Sequence, residues 1–430
     1  MGKRVAVVGG GIAGLSAAWL LSRAVDVTVY EQADRPGGHS RTVDAGGTPV
    51  DMGFIVYNEA TYPNLVALFR HLGVETRASD MSFGVSMDDG RLEYAGTDLR
   101  GLLAQPANLL RPRFWAMLRD LLRFYREAPR DAAMLERDLT SLGDYLRRGG
   151  YGPGFVEDHL LPMAAAIWST PTTDVGAYPA AAFIRFCENH GLLRLSDRPI
   201  WRTVAGGSRS YVSRLCAPFK QSMRLSSGVT AIRRDAQGVL VRTSDGNVER
   251  HDEVVIATHA PQALALLEDP SDSERALLGA MRTAPNRVVL HRDARLMPRR
   301  RAAWASWNYI GGPDGNLCVT YWMNRLQGLP EAAGRHFVTL NPTVEPSEIL
   351  QEEVFAHPQF DAAAIRAQRA LWSLQGTRGT WYCGAWFGAG FHEDGLQAGL
   401  AVAEQLADMR RPWQVAAGSA RIHAPALVAG

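Results

Sequence analysis

An α/β protein, its parallel sheet interleaved with an α+β domain that carries an antiparallel sheet, is what this 430-residue sequence predicts. Three observations lead there. A buried-strand pattern at residues 4–8 runs into a glycine turn and an apolar helix. A second strand pattern ends in an acid at Glu31. A turn and helix of the same kind recur at 384–406, near the other terminus. A chain this long exceeds one simple core, so two domains are expected.

Arg4 to Val8 is β-branched or small, as a buried parallel strand should be. Gly9-Gly10-Gly11-Ile12-Ala13-Gly14 then spells GxGxxG, and Leu15 to Leu21 continues as an apolar helix. Gly9 permits the tight turn, Gly11 lets the backbone approach a pyrophosphate, and Gly14 allows close helix–strand packing. The phosphates would rest on the helix N-terminus, at Ile12 and Ala13. The second strand, Asp26 to Tyr30, places Glu31 at the spacing of a carboxylate that binds ribose hydroxyls, with Gln32 beside it. An acid there disfavours a 2′-phosphate, which argues against NADP.

Composition excludes several classes. Hydrophobic residues at 46%, charged residues at 21% and a net charge of +2 are ordinary for a soluble globular protein and give no reason for nucleic acid. Lys3 and Lys220 are the only lysines. Cys187, Cys216, Cys318 and Cys383 are scattered, with no CxxC and no histidine at metal-ligand spacing, so free thiols and no metal site are expected. No signal peptide precedes the first strand, and no apolar run approaches the ~20 residues that span a bilayer. A cytoplasmic protein is expected.

After Glu31 the chain reads QADRPGGHSRTVDAGGTPVDMGFIVYN. Gly37-Gly38-His39-Ser40 and Asp51-Met52-Gly53 stand where a GG-basic-Ser/Thr turn and a D-x-G occur in the flavin amine oxidase superfamily. This stretch resembles that superfamily, which includes monoamine and polyamine oxidases, protoporphyrinogen oxidase and carotenoid desaturases. The resemblance implies a Rossmann-like FAD-binding domain. Gly38, His39 and Ser40 would line the pyrophosphate and flavin side, and Gly53, Phe54 and Ile55 would pass the ring. The family usually has arginine at His39. Val204 to Ser208, Gly228 to Ile232 and Asp252 to Pro261 extend the match; Val229 would pair its backbone with adenine. Strands at 229 and 254 bracket a turn at Ser244-Asp245-Gly246-Asn247.

Trp381 to Ala385 reads as the last parallel strand. The helix Leu396 to Leu406 would point its N-terminus at the flavin, with Gly395 and Leu396 nearest the ring. Gly311-Gly312-Pro313-Asp314-Gly315 is a turn, not a second nucleotide motif, so the organic substrate itself would reduce the flavin. Covalent attachment is not expected, because no cysteine lies at the monoamine oxidase spacing. The FAD-binding domain would comprise 1–78, 203–265 and 370–410, and the substrate domain 79–202 and 266–369, with 411–430 a tail.

The substrate domain holds the aromatics Trp168, Trp307, Tyr309 and Tyr321. The last three lie in ASWNYI and CVTYWMN, which read as adjacent antiparallel strands. With Tyr57, these four are the candidate lining of an apolar tunnel. The lysine that amine oxidases of the superfamily keep against flavin N5 has no counterpart on the strand Asn286 to His291. The aromatic-cage tyrosine of the family aligns roughly with Phe391.

FIVYNEATYPNLVALF, PMAAAIWST, SWNYI, YWMNRLQ, VTLNP and GFHEDGL resemble one bacterial subgroup of predicted FAD-binding oxidoreductases, commonly encoded beside cyclopropane-fatty-acid-synthase-like methyltransferases. That resemblance implies desaturation of a methyl-branched, unsaturated acyl chain, on the way to furan fatty acids, with the chain free or held in phospholipid. His392 and Glu393 are the candidate proton acceptors beside hydride transfer, since imidazole exchanges protons near neutral pH. A capping role for Glu393 or Asp394 is the alternative. Residues 111–130 form a basic amphipathic helix with Phe114, Leu118, Leu121, Leu122 and Tyr125 on one face, suited to a membrane surface or to packing on the protein. An amine oxidase, a carotenoid- or porphyrinogen-type oxidase, and a non-catalytic flavoprotein are the competing readings.

Overall fold

The computed structural model describes residues 2–135, 140–168, 175–194, 196–312, 317–416 and 418–425. Pro313 to Gly315 of the expected turn, and Ser169 and Thr170 of PMAAAIWST, lie outside them. Strand β1 (Arg4–Val8) occupies the centre of a five-stranded parallel sheet. It pairs with β2 (Asp26–Tyr30) on one side and with Glu253–Ile256 on the other; Met223–Arg224 and Thr380–Tyr382 form the edges. Val5, Ala6 and Val7 are fully buried, as the lack of polar alternation requires.

Helix α1 (Ile12–Leu21) is buried on every side. A helix that is apolar all round has no solvent face to offer, and this one lies between the sheet and the C-terminal helix. Two glycines allow that approach. A Cβ on Gly14 would stand 2.0 Å from the Gly9 carbonyl oxygen, and one on Gly399 would stand 2.1 Å from that of Ala13. An antiparallel meander, Val229–Asp235, Gly238–Thr243 and Val248–His251, adds a small sheet with its turn at 244–247.

The second sheet has seven strands, in the order 349–359, 282–291, 337–340, 319–322, 307–311, 83–87 and 92–95. Trp307 stands opposite Tyr321 in antiparallel register. The expected antiparallel sheet is in fact mixed, because Trp307–Gly311 pairs in parallel with Phe83–Met87. That strand comes from far upstream, so the pair has no hairpin to impose opposite directions. Helix α2 (Pro63–Leu72) belongs to the first half, and helix α3 (Pro112–Leu135) covers the second. Asp51 ties the halves together. It accepts from Thr42 Oγ1 at 2.5 Å, from the Ser208 backbone N–H at 2.9 Å and from Gln327 Nε2 at 3.0 Å.

The C-terminal helix α4 (His392–Ala407) starts four residues earlier than the apolar pattern suggested. Asp394 receives the N–H groups of Phe391 at 2.8 Å and Ala389 at 3.1 Å, so the acids fall inside the first turn. The tail is part of the fold. Trp413 stacks on Trp19 at 5.7 Å, Arg411 pairs with Glu404 at 2.7 Å, and Ile422 is fully buried.

Candidate active site

One cavity of about 1270 Å³ runs from the β1–α1 turn to the second sheet. At its near end Gly9, Gly11, Ile12 and Ala13 form the wall, joined by Glu31 and Gln32 from the end of β2. Gly9 has φ +109°, a conformation that glycine adopts without strain. A Cβ on Gly11 would meet nothing within 4 Å, because it would project into the cavity. Glu31 receives the Gly10 N–H at 2.6 Å and the Ala33 N–H at 2.8 Å, which holds the turn against β2. Gly38, His39, Gly53, Phe54, Ile55 and Val229 also line the cavity.

Four residues expected at the cofactor do not line it. Gly14 is packed against Gly9. Ser40 is buried behind the wall, with its hydroxyl 2.5 Å from Tyr211 Oη. Gly395 and Leu396 face α1 instead: a Cβ on Gly395 would lie 3.0 Å from Ile12 Cγ2, and Leu396 is fully buried in the core. The residues of that turn that reach the cavity are Gly384, Ala385, Trp386, Gly390, Phe391 and His392.

His392 stacks on Phe54, and its Nε2 lies 2.6 Å from Tyr211 Oη. Burial pushes the imidazole down to about 3. Proton exchange near neutral pH, the reason for singling it out, therefore does not hold. Glu393 is not at the cavity at all. Its carboxylate accepts from Asn64 N–H at 3.0 Å, Asn64 Nδ2 at 2.9 Å, Leu65 N–H at 2.9 Å and Gln397 Nε2 at 2.9 Å. It satisfies the open N-terminus of α2, a neighbour 329 residues away that no local pattern reveals.

In the substrate half, Trp307 and Tyr321 line the cavity, their rings in edge contact at 4.8 Å. The other three candidates do not. Tyr57 is in the first core, against Tyr62 and Phe69. Trp168 stands behind Phe186, on a separate smaller pocket, and Tyr309 is buried in the second core. Leu118, Leu121, Leu122 and Tyr125 of α3 complete the wall. Of the apolar face offered either to a membrane surface or to packing on the protein, Phe114 is 3% exposed and Leu118, Leu121 and Tyr125 line the cavity, while Leu122 remains 51% exposed.

Sequence reasoning missed Arg35, His259, His357 and Arg198, all on the wall. His39 lies 5.8 Å from His259 and 5.5 Å from His357, ring to ring, and its Nε2–H donates to the Ala356 carbonyl at 3.2 Å. Burial, then the neighbouring imidazoles, hold His39 well below its ordinary value. A neutral histidine cluster thus occupies the place where arginine is usual. The four cysteines are all buried, and none lines the cavity. The charged residues on the wall divide by position. Arg35, whose Nη1 reaches the Gly38 carbonyl, Glu31 and Glu353 stand at the glycine-turn end; Arg198 stands at the other.

The family model described as flavin-containing amine oxidoreductase matches residues 12–300. The chain belongs to this family. Its cofactor is FAD, and the near end of the cavity fits that molecule: an open glycine at Gly11, a carboxylate at Glu31 and a guanidinium at Arg35. Among its relatives is a Mycobacterium tuberculosis protein named as a flavin-containing monoamine oxidase, 29% identical over 62% of this chain and 59% of that one. A rice polyamine oxidase is 25% identical over 74% of this chain and 64% of its own length. The chain thus spans about three fifths of the length of these curated relatives. A putrescine oxidase structure superposes with TM-score 0.70 at 14% identity, covering 95% of this chain and all of that one. A fatty acid isomerase from P. acnes superposes with TM-score 0.65 at 17% identity, covering 94% of this chain and 98% of that one. Likeness at this level defines the fold.

Proposed function

We propose that this amine oxidoreductase-family protein desaturates a methyl-branched, unsaturated fatty acyl chain, free or esterified in phospholipid, as a step toward furan fatty acids. One observation carries the reading: the substrate half of the cavity is apolar and, among the described residues, presents no carboxylate. Its wall includes Leu118, Leu121, Met163, Ile167, Trp307 and Tyr321, and its one fixed charge among the described residues is Arg198. A protonated amine would lose its hydration there without an acid to replace it, while an acyl chain is the natural occupant of such a wall. Neither lysine lines the cavity; Lys3 is bound to Glu253 at 2.6 Å.

Bound FAD supplies the hydride acceptor. The chain's own residues orient the substrate and keep water away. Trp307 and Tyr321 bound the chamber from the sheet, and α3 closes it from the helical side. His392 is neutral and held between Phe54 and Tyr211, which suits a positioning residue rather than a proton store. Contact with a lipid surface fits the far mouth, where Leu122 is 51% exposed and Ile200, beside Trp201, is 67% exposed.

The test is anaerobic bleaching of the flavin absorbance. Lipids with methyl-branched unsaturated chains should bleach it, and plain saturated chains should not. Bleaching by polyamines alone would replace the acyl reading with amine oxidation, and a flavin that neither class reduces would favour a non-catalytic role.

A further inference from the structure

We propose that Arg198 is the binding site for the anionic head of an amphiphilic substrate, a carboxylate or a phosphodiester, whose acyl tail fills the chamber. This rests on the acyl reading above and adds the end of the molecule that the chamber does not explain.

The exposed residues on the cavity wall fall into two groups. Gln32, Thr230, Gln262, Ala265 and Val354 flank the glycine-turn end, while Gly96, Leu122 and Arg198 mark the opposite opening. The second opening is therefore where a long substrate meets solvent. Arg198 stands there beside Tyr125 and His159, close enough that its charge acts on both after burial has had its larger effect.

Its guanidinium is poised for an anion. Nε donates to the Arg194 carbonyl at 2.7 Å, which anchors the group and leaves both terminal nitrogens without a partner among the described residues. The neighbouring acid, Asp197, takes the Ser196 hydroxyl at 3.4 Å instead. Other arginines of the same domain are satisfied: Arg113 pairs with Asp158 at 2.6 Å, and Arg119 with Asp120 at 3.1 Å. Two parallel N–H groups match the two oxygens of a carboxylate or phosphate, geometry that lysine cannot reproduce. Leu122 and Tyr125 stand on the same wall, so a head held at Arg198 would send its first methylenes along an apolar surface.

Binding is tested on the FAD-loaded protein with cis-parinaric acid and its methyl ester, followed by probe fluorescence at pH 8. The acid should bind about tenfold more tightly than the ester, the difference of one charge-assisted pair partly open to water. Arg198→Gln should abolish that preference, Arg198→Lys should keep part of it, and Arg194→Gln should leave it intact; retained flavin absorbance verifies folding in each. Leu121→Trp, which narrows the chamber, should weaken acid and ester alike. Equal binding of acid and ester by the wild type, or an undiminished preference in Arg198→Gln, would overturn the head site. Sensitivity of the ester to Leu121→Trp would then still uphold the chamber. Indifference of both probes to that change removes the two proposals together. Competition assigns the head: displacement by oleate alone means a free carboxylate, displacement also by monomeric dioctanoyl phosphatidylglycerol means that a phosphodiester is accepted, and displacement by neither overturns the site.

Discussion

Phe54 and His392 face each other ring to ring, with centroids 3.9 Å apart and planes 11° from parallel. Phe54 belongs to the turn after Gly53, and His392 opens α4, so this contact joins the two ends of the chain beside the cofactor cleft. The Ser40–Tyr211–His392 hydrogen bonds fix the imidazole from behind. His392→Ala should therefore keep its FAD and lose between about tenfold and a hundredfold in kcat through misplacement. The rate-versus-pH profile checks the role. With the imidazole pushed down to about 3, kcat/KM should show no ionisation near 6.5 that disappears in the variant.

Gly11 and Gly14 predict opposite failures. A methyl on Gly11 enters open cavity and touches no protein atom within 4 Å, so Gly11→Ala should fold with wild-type stability and purify without yellow colour. A methyl on Gly14 would sit 2.0 Å from the Gly9 carbonyl oxygen, so Gly14→Ala should be insoluble or melt far lower whether or not FAD is added. Absorbance at the flavin band and the melting temperature separate the two. A colourless but stable Gly14→Ala would contradict the packing role.

What the sequence made legible was local. The β1 turn, Glu31 and the Gly53–Ile55 passage announce themselves through contiguous residue types, because a pyrophosphate needs bare backbone at fixed offsets. The chamber was read less well, since its wall is assembled from helices and strands distant in sequence. Tyr57 and Tyr309 have the right chemistry but point into cores. The apolar stripe of α3 was plain, whereas what it faces was not, because a chamber and a bilayer impose the same periodicity. Arg198 carries no motif; only its position at the opening distinguishes it from the other arginines.

Glu393 illustrates a charge that is structural despite its address. Its carboxylate accepts four hydrogen bonds while fully buried, and burial raises its pKa against those donors. Glu393→Ala would leave the Asn64 and Leu65 N–H groups at the start of α2 unpaired, a cost of about 3–5 kcal/mol. Chemical denaturation should show that loss. The fraction that folds should turn over at the wild-type rate, because the carboxylate does not reach the cavity. A stable Glu393→Ala with abolished turnover would return the residue to the chemistry.

Acid should destabilise the protein through its buried histidines. Burial pushes His159, His251, His291 and His357 down to about 4, and His190 and His392 to about 3. An unfolded histidine titrates near 6.5, so between that pH and the folded values the unfolded chain binds more protons. The sign follows: this contribution is complete above pH 6.5 and is lost as pH falls toward 4, by up to about 1.4 kcal/mol per histidine per pH unit. Asp51 runs the other way. Burial raises it to about 6, so its contribution is present below its unfolded value near 4 and is lost as pH rises through 6. Burial raises Glu393 and Asp394 in the same direction, and these three acids are outnumbered by the six imidazoles. Urea midpoints of the FAD-loaded protein should therefore drop steeply from pH 6.5 to 5, and a His190→Gln, His357→Gln double variant should drop less. A midpoint that holds constant over that interval would mean that these rings are protonated in the native state.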